Sequence, residues 1–407
     1  MPVSLYRYER RSSPALLLFG ITCVAALVLA LGIYQVSRAL PNPSTAITLP
    51  ETSVLGQARA IDLPETGTSI VAVDGLGTLG QFGEPGAKPI ASVTKMMTAY
   101  VLLKGHPLQP GEGGPTMEIT QQDADRFWEM VAEDQSVQPV NAGQVLTELQ
   151  LLQGMLIPSA NNYAEIAAIW DSGSIEAFVG KMNAEALALD MTSTIYDDVS
   201  GFSDLSVSTA ADQLVLARAA MANPVFAGIV GTKEIELPGA GLVTNVNELL
   251  GVGGVIGIKT GQTEAAGGNL AFAAQRQVGG QTVEVIGAIF NQEDRAGAFD
   301  GTIGVLNSLN NNLQVLRVVP AGQPVGTVDA PWGDPVDVVV AQDVTMLVWP
   351  GMTLETIVEF DAVTAGTKAG EQVGTLLVRL GEQEQRVPIT LAADLPDAGL
   401  SYKLTRF

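Results

Sequence analysis

The chain has 407 residues, with 43 acidic and 21 basic side chains and a formal net charge of −22. So acidic a chain is unsuited to bind nucleic acid or another polyanion, because such partners require a basic face. With one cysteine and one histidine, it has neither a disulfide framework nor the ligands of a structural zinc site. The length exceeds one ordinary core and predicts two domains with additional segments.

An uncharged apolar segment near the N-terminus predicts a membrane anchor. Residues 15–36 read ALLLFGITCVAALVLALGIYQV. At about 1.5 Å per residue this segment is long enough to cross a hydrocarbon layer of about 30 Å. Arg7, Arg10 and Arg11 precede it, so the positive-inside rule predicts that residues 1–14 lie in the cytoplasm and the rest of the chain outside.

A cleaved signal peptide is the alternative interpretation of the same segment. Ser37-Arg38-Ala39 is a passable cleavage site. The apolar run is longer than the usual signal-peptide core of about 7–15 residues, which favours an uncleaved anchor.

The next two segments predict a linker and a hairpin. Residues 37–68 are rich in Pro, Thr and Ser with little periodicity, which indicates an extended linker. Residues 75–80 read GLGTLG after an apolar run, as in a dinucleotide-binding fingerprint. A fingerprint must open a helix, and the following QFGEPGAKP cannot form one. We therefore expect a glycine-rich hairpin here rather than a dinucleotide site. For the chain as a whole we expect neither a cofactor nor a metal.

Helical patterns dominate the middle of the chain. A helix is predicted over residues 92–103, and apolar residues recur at helical spacing in 146–156 and again in 163–169. The turn PSAN at 158–161 therefore joins two helices of a helical subdomain.

The pattern changes in the second half of the chain. Ser208 or Thr209 is the predicted N-cap of the helix TAADQLVLARAAM. VIGIKTG, NLAFAAQ and TVEVIGAIF follow as short β-rich runs, which predict an antiparallel meander. Helices between strands from both ends give an α+β domain over 69–316, and the strand-rich remainder predicts a small all-β domain over 317–407.

Ser92 and Lys95 are the first residues whose pattern indicates chemistry. Residues three apart share a helix face, so the lysine amine can hydrogen-bond the serine hydroxyl. His106 is the only histidine and no G-x-S-x-G motif is present, so lysine is the candidate base for a serine nucleophile. Its pKa must then fall from about 10.4 towards 7, through burial and a nearby second cation. Taken alone, the pair could equally be a surface lysine beside an N-cap serine.

Two further motifs follow in order along the chain. Ser159 and Asn161, in SAN, supply a second hydroxyl for proton relay and an amide for a substrate backbone, although SAN alone could be a helix cap. Lys259, Thr260 and Gly261 lie on a predicted strand and could supply the second cation, a carboxylate contact and room for a substrate strand. Alone, these three could be a strand-end turn. Together with the first pair they predict one site.

These residues resemble those of the serine-type D-alanyl-D-alanine carboxypeptidases, the low-molecular-weight penicillin-binding proteins, over about residues 68–400. The resemblance rests on IASVTKMMTAYVLL, LIPSANN, SGFSDLSVSTAADQLVLARAAMANPVF and GIKTGQTEAAGGNLAFAA. It implies a β-lactamase-like α+β domain, an antiparallel sheet plus a helical subdomain, followed by a small all-β domain. The chain departs from the family pattern at Ala160, where many relatives have glycine, and we expect no C-terminal amphipathic helix.

The resemblance also implies roles for the site residues. Ser92 would be the acyl-ester nucleophile and Lys95 its proton acceptor. The other implied site residues are Ser159 and Asn161 in the second motif and Lys259, Thr260, Gly261 and Gln262 on the substrate-binding strand. Backbone N–H groups of Ser92 and Gln262 would form the oxyanion hole.

The implied function is removal of the terminal D-alanine from peptidoglycan stem pentapeptides, by a single-pass protein of the bacterial cell membrane with an extracytoplasmic catalytic domain. Expected partners are the stem peptides, β-lactam antibiotics and the membrane. A DD-endopeptidase that cuts crosslinks would use the same residues. A β-lactamase is disfavoured because no E-x-x-L-N segment lies between the second and third motifs. Intact Ser92 and Lys95 also count against a catalytically silent wall-binding relative.

Overall fold

The computed structural model describes residues 14–406, so the three arginines predicted to lie in the cytoplasm fall outside the described residues. Its helices are α1 (Pro14–Ser37), α2 (Lys95–Gly105), α3 (Gln121–Ala132), α4 (Glu148–Leu156), α5 (Asn161–Ser172), α6 (Ile175–Ala188), α7 (Ala210–Met221), α8 (Pro224–Val230), α9 (Arg295–Leu309) and α10 (Leu400–Thr405). Short 3₁₀ turns span Ala91–Thr94 and Val252–Gly254.

The strands of the first two thirds of the chain are β1 (Ser44–Ile47), β2 (Thr52–Val54), β3 (Thr68–Val73), β4 (Gly77–Phe82), β5 (Lys88–Pro89), β6 (Thr116–Glu118), β7 (Val145–Thr147), β8 (Val207–Ser208), β9 (Glu234–Leu237), β10 (Gly241–Thr244) and β11 (Val255–Thr263). They are followed by β12 (Gly267–Val278), β13 (Gln281–Gln292), β14 (Gln314–Val319), β15 (Pro324–Asp329), β16 (Val336–Val340), β17 (Val344–Val348), β18 (Thr353–Phe360), β19 (Gln372–Leu380) and β20 (Gln383–Leu391).

Helix α1 is long and apolar enough to cross a membrane. It has 24 residues, its most apolar window has a mean hydropathy of 2.7, and none of that window is buried by the rest of the chain. An exposed apolar surface of this size is stable only in apolar surroundings. The helix therefore fits an N-terminal membrane anchor or signal segment.

A five-stranded antiparallel sheet forms the centre of the domain that follows, in the order β11-β12-β13-β3-β4. The predicted meander is its first three strands, and the predicted glycine-rich hairpin is β3 with β4. Strand β3, from before the helices, pairs with β13, from after them. The predicted α+β arrangement, with strands from both ends of the domain, is confirmed.

The central sheet is buried on both faces. Because successive strand residues point to opposite faces, Ile70 and Ala72 of β3 join one apolar cluster with Met96 of α2. Val71 and Val73 join a second cluster with residues of α9. Strand β3 is buried along its whole length for this reason, and residues 70–73 are consecutive apolar residues rather than an alternating pattern.

Two local contacts position helices of the α+β domain. Gly154 of α4 lies against the ring of Tyr163 of α5, so closely that a Cβ atom there would be 2.2 Å from the ring. Glycine at this position therefore lets the two helices approach each other closely. Thr209 is the N-cap of α7, where its hydroxyl accepts a hydrogen bond from Asp212 N, as predicted.

The C-terminal part has its own sheet and its own apolar cluster. Its seven-stranded sheet has the order β1-β15-β16-β20-β19-β18-β2, so the two edge strands come from the segment before the α+β domain. That segment, residues 37–68, is predicted to be an extended linker, and the prediction missed this pairing. Both edge strands are exposed throughout and lack an apolar alternation that a sequence pattern could reveal.

The C-terminus forms a short helix that was not predicted. Helix α10 has six residues, too few for a helical periodicity to be recognised. It lies against the end of α1, and the guanidinium of Arg406 donates hydrogen bonds to the carbonyl oxygens of Gln35 (2.8 Å) and Ala39 (3.1 Å).

Candidate active site

Lys95 lies at the centre of a buried hydrogen-bond network. Ser92 is half-buried on the 3₁₀ turn that leads into α2, whereas the Lys95 side chain is fully buried. The Lys95 amine lies 2.9 Å from Ser92 Oγ, 2.6 Å from Asn161 Oδ1 and 2.8 Å from the carbonyl oxygen of Ser200. The first two predicted motifs are therefore brought together.

These three contacts suit a neutral amine. A neutral lysine has two N–H donors and one lone pair. Asn161 Oδ1 and the Ser200 carbonyl can only accept, so they take the two N–H groups. The lone pair then faces the Ser92 hydroxyl, which is the arrangement of a base poised to remove a proton from a nucleophile.

Burial gives Lys95 the acid strength that this role requires. It lowers the pKa of Lys95 to about 7, while the carboxylate of Asp198 acts in the opposite direction. A buried ammonium loses hydration that its neutral form does not need, which explains the direction. Near neutral pH a large fraction of Lys95 is therefore unprotonated.

Lys259 is the second buried amine of the site. It is 1% exposed, and its Nζ donates to Ser159 Oγ (3.0 Å) and to the carbonyl oxygen of Thr260 (3.1 Å). Burial, then repulsion from Lys95 and from Arg295, lowers the pKa of Lys259 well below its usual range. The predicted second amine is present, but burial lowers the pKa of Lys95, and Lys259 is not among the groups that shift it.

Two residues beside the reacting groups have left-handed backbone conformations. Ala91, which precedes Ser92, has φ 47°, and Ser159 has φ 67°. Such conformations are unfavourable for residues other than glycine and persist only where the surrounding structure imposes them. The backbone on either side of the site is thus held by its packing.

Gly261 allows the strand of the third motif to approach Ser92. A Cβ atom at this position would lie 2.7 Å from the Ile90 carbonyl oxygen and 3.0 Å from Ser92 N. Only glycine permits so close an approach between the strand and the turn that bears Ser92. The next residue, the exposed Gln262, therefore lies beside the same turn. Because β11 is an edge strand of the sheet, its outer side is available to an extended peptide.

The sequence missed three residues that the structure places around the two amines. Arg295, the first residue of α9, is close enough to Lys259 to lower its pKa. Ser200 contacts Lys95 through its backbone carbonyl, and Asp198 acts on the same amine by charge. Ser200 belongs to the segment SGF that carries part of the resemblance, but a backbone carbonyl leaves no side-chain pattern to detect.

The sequence profile of the D-alanyl-D-alanine carboxypeptidase family matches residues 83–293, just over half of the chain and all three motifs. The chain belongs to this family. D-alanyl-D-alanine carboxypeptidase DacB2 of Mycobacterium tuberculosis is 42% identical over 144 residues, 34% of this chain and 49% of that protein. The match thus spans about half the length of DacB2.

A second relative supports the family assignment, and a solved structure supports the fold. The D-alanyl-D-alanine carboxypeptidase of Streptomyces sp. strain K15 is 31% identical over 282 residues, 64% of this chain and 89% of that protein. The crystal structure of the carboxypeptidase DacD from Francisella tularensis shares the fold, with a TM-score of 0.57 and 21% identity over 84% of this chain and 96% of that one. The predicted family and the predicted fold class are confirmed.

Proposed function

We propose that this protein is a serine D-Ala-D-Ala carboxypeptidase that removes the terminal D-alanine from peptidoglycan stem pentapeptides through an acyl-enzyme on Ser92. The observation that carries the proposal is the contact between the Ser92 hydroxyl and the buried Lys95 amine at 2.9 Å. Family membership supports the reaction class, and the two buried lysines support the mechanism.

In the acylation step, the lone pair of Lys95 accepts the Ser92 proton while Ser92 Oγ forms a bond to the carbonyl carbon of the penultimate D-alanine. The carbonyl oxygen becomes an oxyanion, and the backbone N–H groups of Ser92 and Gln262 are the donors proposed to stabilise it. The C–N bond then breaks, and the leaving nitrogen takes a proton from the Lys95 ammonium, directly or through the hydroxyl of Ser159. Free D-alanine and an ester on Ser92 result.

In the deacylation step, Lys95 is again neutral and accepts a proton from a water molecule. The water oxygen bonds to the ester carbon, and the C–O bond to Ser92 breaks. The Ser92 oxygen recovers its proton from Lys95, and the shortened peptide leaves as a carboxylic acid. One residue thus acts as base and acid in both half-reactions.

The side chains of Lys259 and Arg295 suit the free carboxylate of the substrate. Lys259 and Arg295 lie close enough to repel each other, and this repulsion is part of what lowers the pKa of Lys259. A bound carboxylate would favour the charged form of Lys259 and relieve the repulsion. Thr260, 3% exposed on the same strand, supplies a hydroxyl for the same carboxylate. A preference for a free C-terminus, and hence for carboxypeptidase activity, follows.

We also propose that α1 anchors the protein in the bacterial cell membrane with the catalytic domain outside. Its length and exposed apolar surface support this location. Stem peptides would then be the substrates, and β-lactam antibiotics would acylate Ser92 because their ring carbonyl takes the place of the scissile carbonyl.

The test is acylation and product release by the full-length protein and by its Ser92→Ala variant. Removal of one hydroxyl should abolish labelling by a fluorescent penicillin and D-alanine release from a pentapeptide, and leave the melting temperature unchanged. Ser401→Ala, an exposed serine on α10, is the matched control and should keep both activities. A penicilloyl adduct on the Ser92→Ala protein would refute the assignment, and cleavage of crosslinked dimers without D-alanine release would identify an endopeptidase instead.

A further inference from the structure

A loop outside the three motifs docks on the helix that carries the base. This loop, residues 197–206, is called the Ser200 loop below. The carbonyl oxygen of Ser200 accepts a hydrogen bond from Lys95 Nζ at 2.8 Å. One residue earlier, the carbonyl oxygen of Val199 accepts from Thr98 Oγ1 at 2.7 Å. Two consecutive backbone carbonyls thus bind α2 one turn apart.

The carboxylate of Asp198 holds this loop together from inside. Its Oδ2 accepts hydrogen bonds from Ser200 N (3.2 Å), Ser200 Oγ (2.8 Å) and Phe202 N (2.9 Å). Its Oδ1 accepts from Ser206 Oγ at 2.6 Å. Charge-assisted hydrogen bonds of this kind are stronger than neutral ones. The direction in which the Ser200 carbonyl points is therefore set by Asp198.

The same loop also supports the backbone of the nucleophile. Gly201 has φ 78°, and a Cβ atom there would lie 1.8 Å from the carbonyl oxygen of Ala91. Ala91 is the residue before Ser92 and has itself a left-handed conformation. The Ser200 loop thus contacts both Lys95 and the turn that bears Ser92.

The charges that face Lys95 come from three elements. Strand β11 contributes Lys259, with Arg295 of α9 beside it, and α5 contributes only the neutral Asn161. The Ser200 loop contributes Asp198, whose carboxylate raises the pKa of Lys95 against the effect of burial. Asp197 of the same loop is exposed and accepts a hydrogen bond from Ser203 instead.

We propose that Asp198 is a positioning residue for the general base: it aims the Ser200 carbonyl at the Lys95 amine and supplies the negative charge behind that amine. The proposal rests on the proposed function of Lys95 and deepens it. Asp198 bonds only within its own loop in this network, so its effect on the reaction passes through Lys95 and through the turn that carries Ser92.

The test is the pH profile of the second-order rate constant for acylation by a fluorescent penicillin, measured between about pH 5 and 9. The acidic limb of this profile reports deprotonation of the base in the free enzyme. In Asp198→Asn, one side-chain oxygen still faces Ser200 and Phe202, and the amide can donate to the Ser206 hydroxyl. We expect the limb to move to lower pH, because the charge that favoured the Lys95 ammonium is gone.

Two companion variants separate charge from loop geometry. Asp198→Glu keeps the charge but displaces the carboxylate, so the limb should stay and the plateau rate should fall about 10- to 100-fold through misplacement of the base. Asp197→Asn removes an exposed charge from the same loop and should change neither, because an exposed charge is screened by solvent.

An unchanged limb in Asp198→Asn, or an equal shift in Asp197→Asn, would overturn the positioning role. If Asp198→Asn does not fold, a limb displaced by Asp198→Glu would do the same. Failure of the wild-type protein to form any penicilloyl adduct on Ser92 would instead refute the proposed function, so the two failures are distinguishable.

Discussion

Buried ionisable groups lie near both ends of helix α4, and among residues 14–406 only those near its C-terminal end have hydrogen-bond partners. Beyond its C-terminal end lie Ser159 and the amines of Lys95 and Lys259, which make five hydrogen bonds among named protein atoms. At its N-terminal end lies Glu148, 1% exposed, whose two carboxylate oxygens have no hydrogen-bond partner among the described residues.

Burial brings the pKa values of Lys95 and Glu148 to about the same value by shifting them in opposite directions. It lowers the pKa of Lys95 to about 7 and raises the pKa of Glu148 to about 7, with a smaller contribution from Asp171 at Glu148. An abnormal pKa is therefore not by itself a sign of chemistry. What distinguishes Lys95 is the set of oxygen atoms around its amine, with the Ser92 hydroxyl 2.9 Å away.

The largest expected effect is loss of the base. Lys95→Met keeps most of the side-chain volume but removes the amine, so acylation by penicillin should slow about 10²- to 10⁴-fold, the usual contribution of a general base. Lys104→Met is the matched control. Lys104 lies on α2, as Lys95 does, but it is exposed and pairs with Glu185 of α6. Glu148→Gln should also leave the rate unchanged. Slow acylation by the Glu148→Gln variant would contradict the distinction drawn between Lys95 and Glu148, because the two ends of α4 would then be functionally connected.

A smaller effect is expected at Lys259. Lys259→Ala should reduce acylation by D-Ala-D-Ala peptides about 10- to 100-fold, which corresponds to the loss of a hydrogen bond to a charged group. The acidic limb of the profile should remain near pH 7, because burial is the main cause of the lowered pKa of Lys95 and Lys259 titrates well below its usual range. An upward move of the limb would show that Lys259 was charged where Lys95 titrates.

The smallest effect concerns stability and its pH dependence at Glu148. Its pKa rises from 4.5 to about 7 on folding, so the folded state holds a proton that the unfolded state releases. The stabilisation is complete below about pH 4.5 and is lost as the pH rises to about 7, by up to about 3 kcal/mol. Glu148→Gln should lack this loss and unfold at a higher temperature than wild type at pH 8. Melting curves at pH 5 and 8 measure it, and parallel curves for the two proteins would indicate an ionised, partnered Glu148.

The sequence predicts the active-site side chains better than it predicts what surrounds them. Ser92, Lys95 and Asn161 are recognisable because their chemistry depends on residue type and spacing. The contact from Ser200 is made by a backbone atom, which any residue could supply. Glu148 looks like an ordinary exposed residue in the first turn of a helix, and only the tertiary packing of Gly114 against it reveals that it is buried.

The edge strands were missed for a similar reason, since their place in the C-terminal sheet depends on a partner more than 270 residues away in the chain. No local pattern records such a pairing. The fold of the catalytic domain, in contrast, follows from helical spacing, a β-rich run and the glycines between them.

The pairing of β1 with β15 also limits the distance between helix α1 and the C-terminal sheet. Helix α1 ends at Ser37 and β1 begins at Ser44, so at most about 25 Å of chain separates the proposed membrane span from the sheet. Arg406 shortens the free part further by its hydrogen bonds to Gln35 and Ala39. A connection this short allows the extracytoplasmic part of the protein little movement relative to the proposed membrane span. If α1 is the proposed membrane span, the C-terminal sheet would stay close to the lipid surface, and the protein would act on cell wall near the membrane.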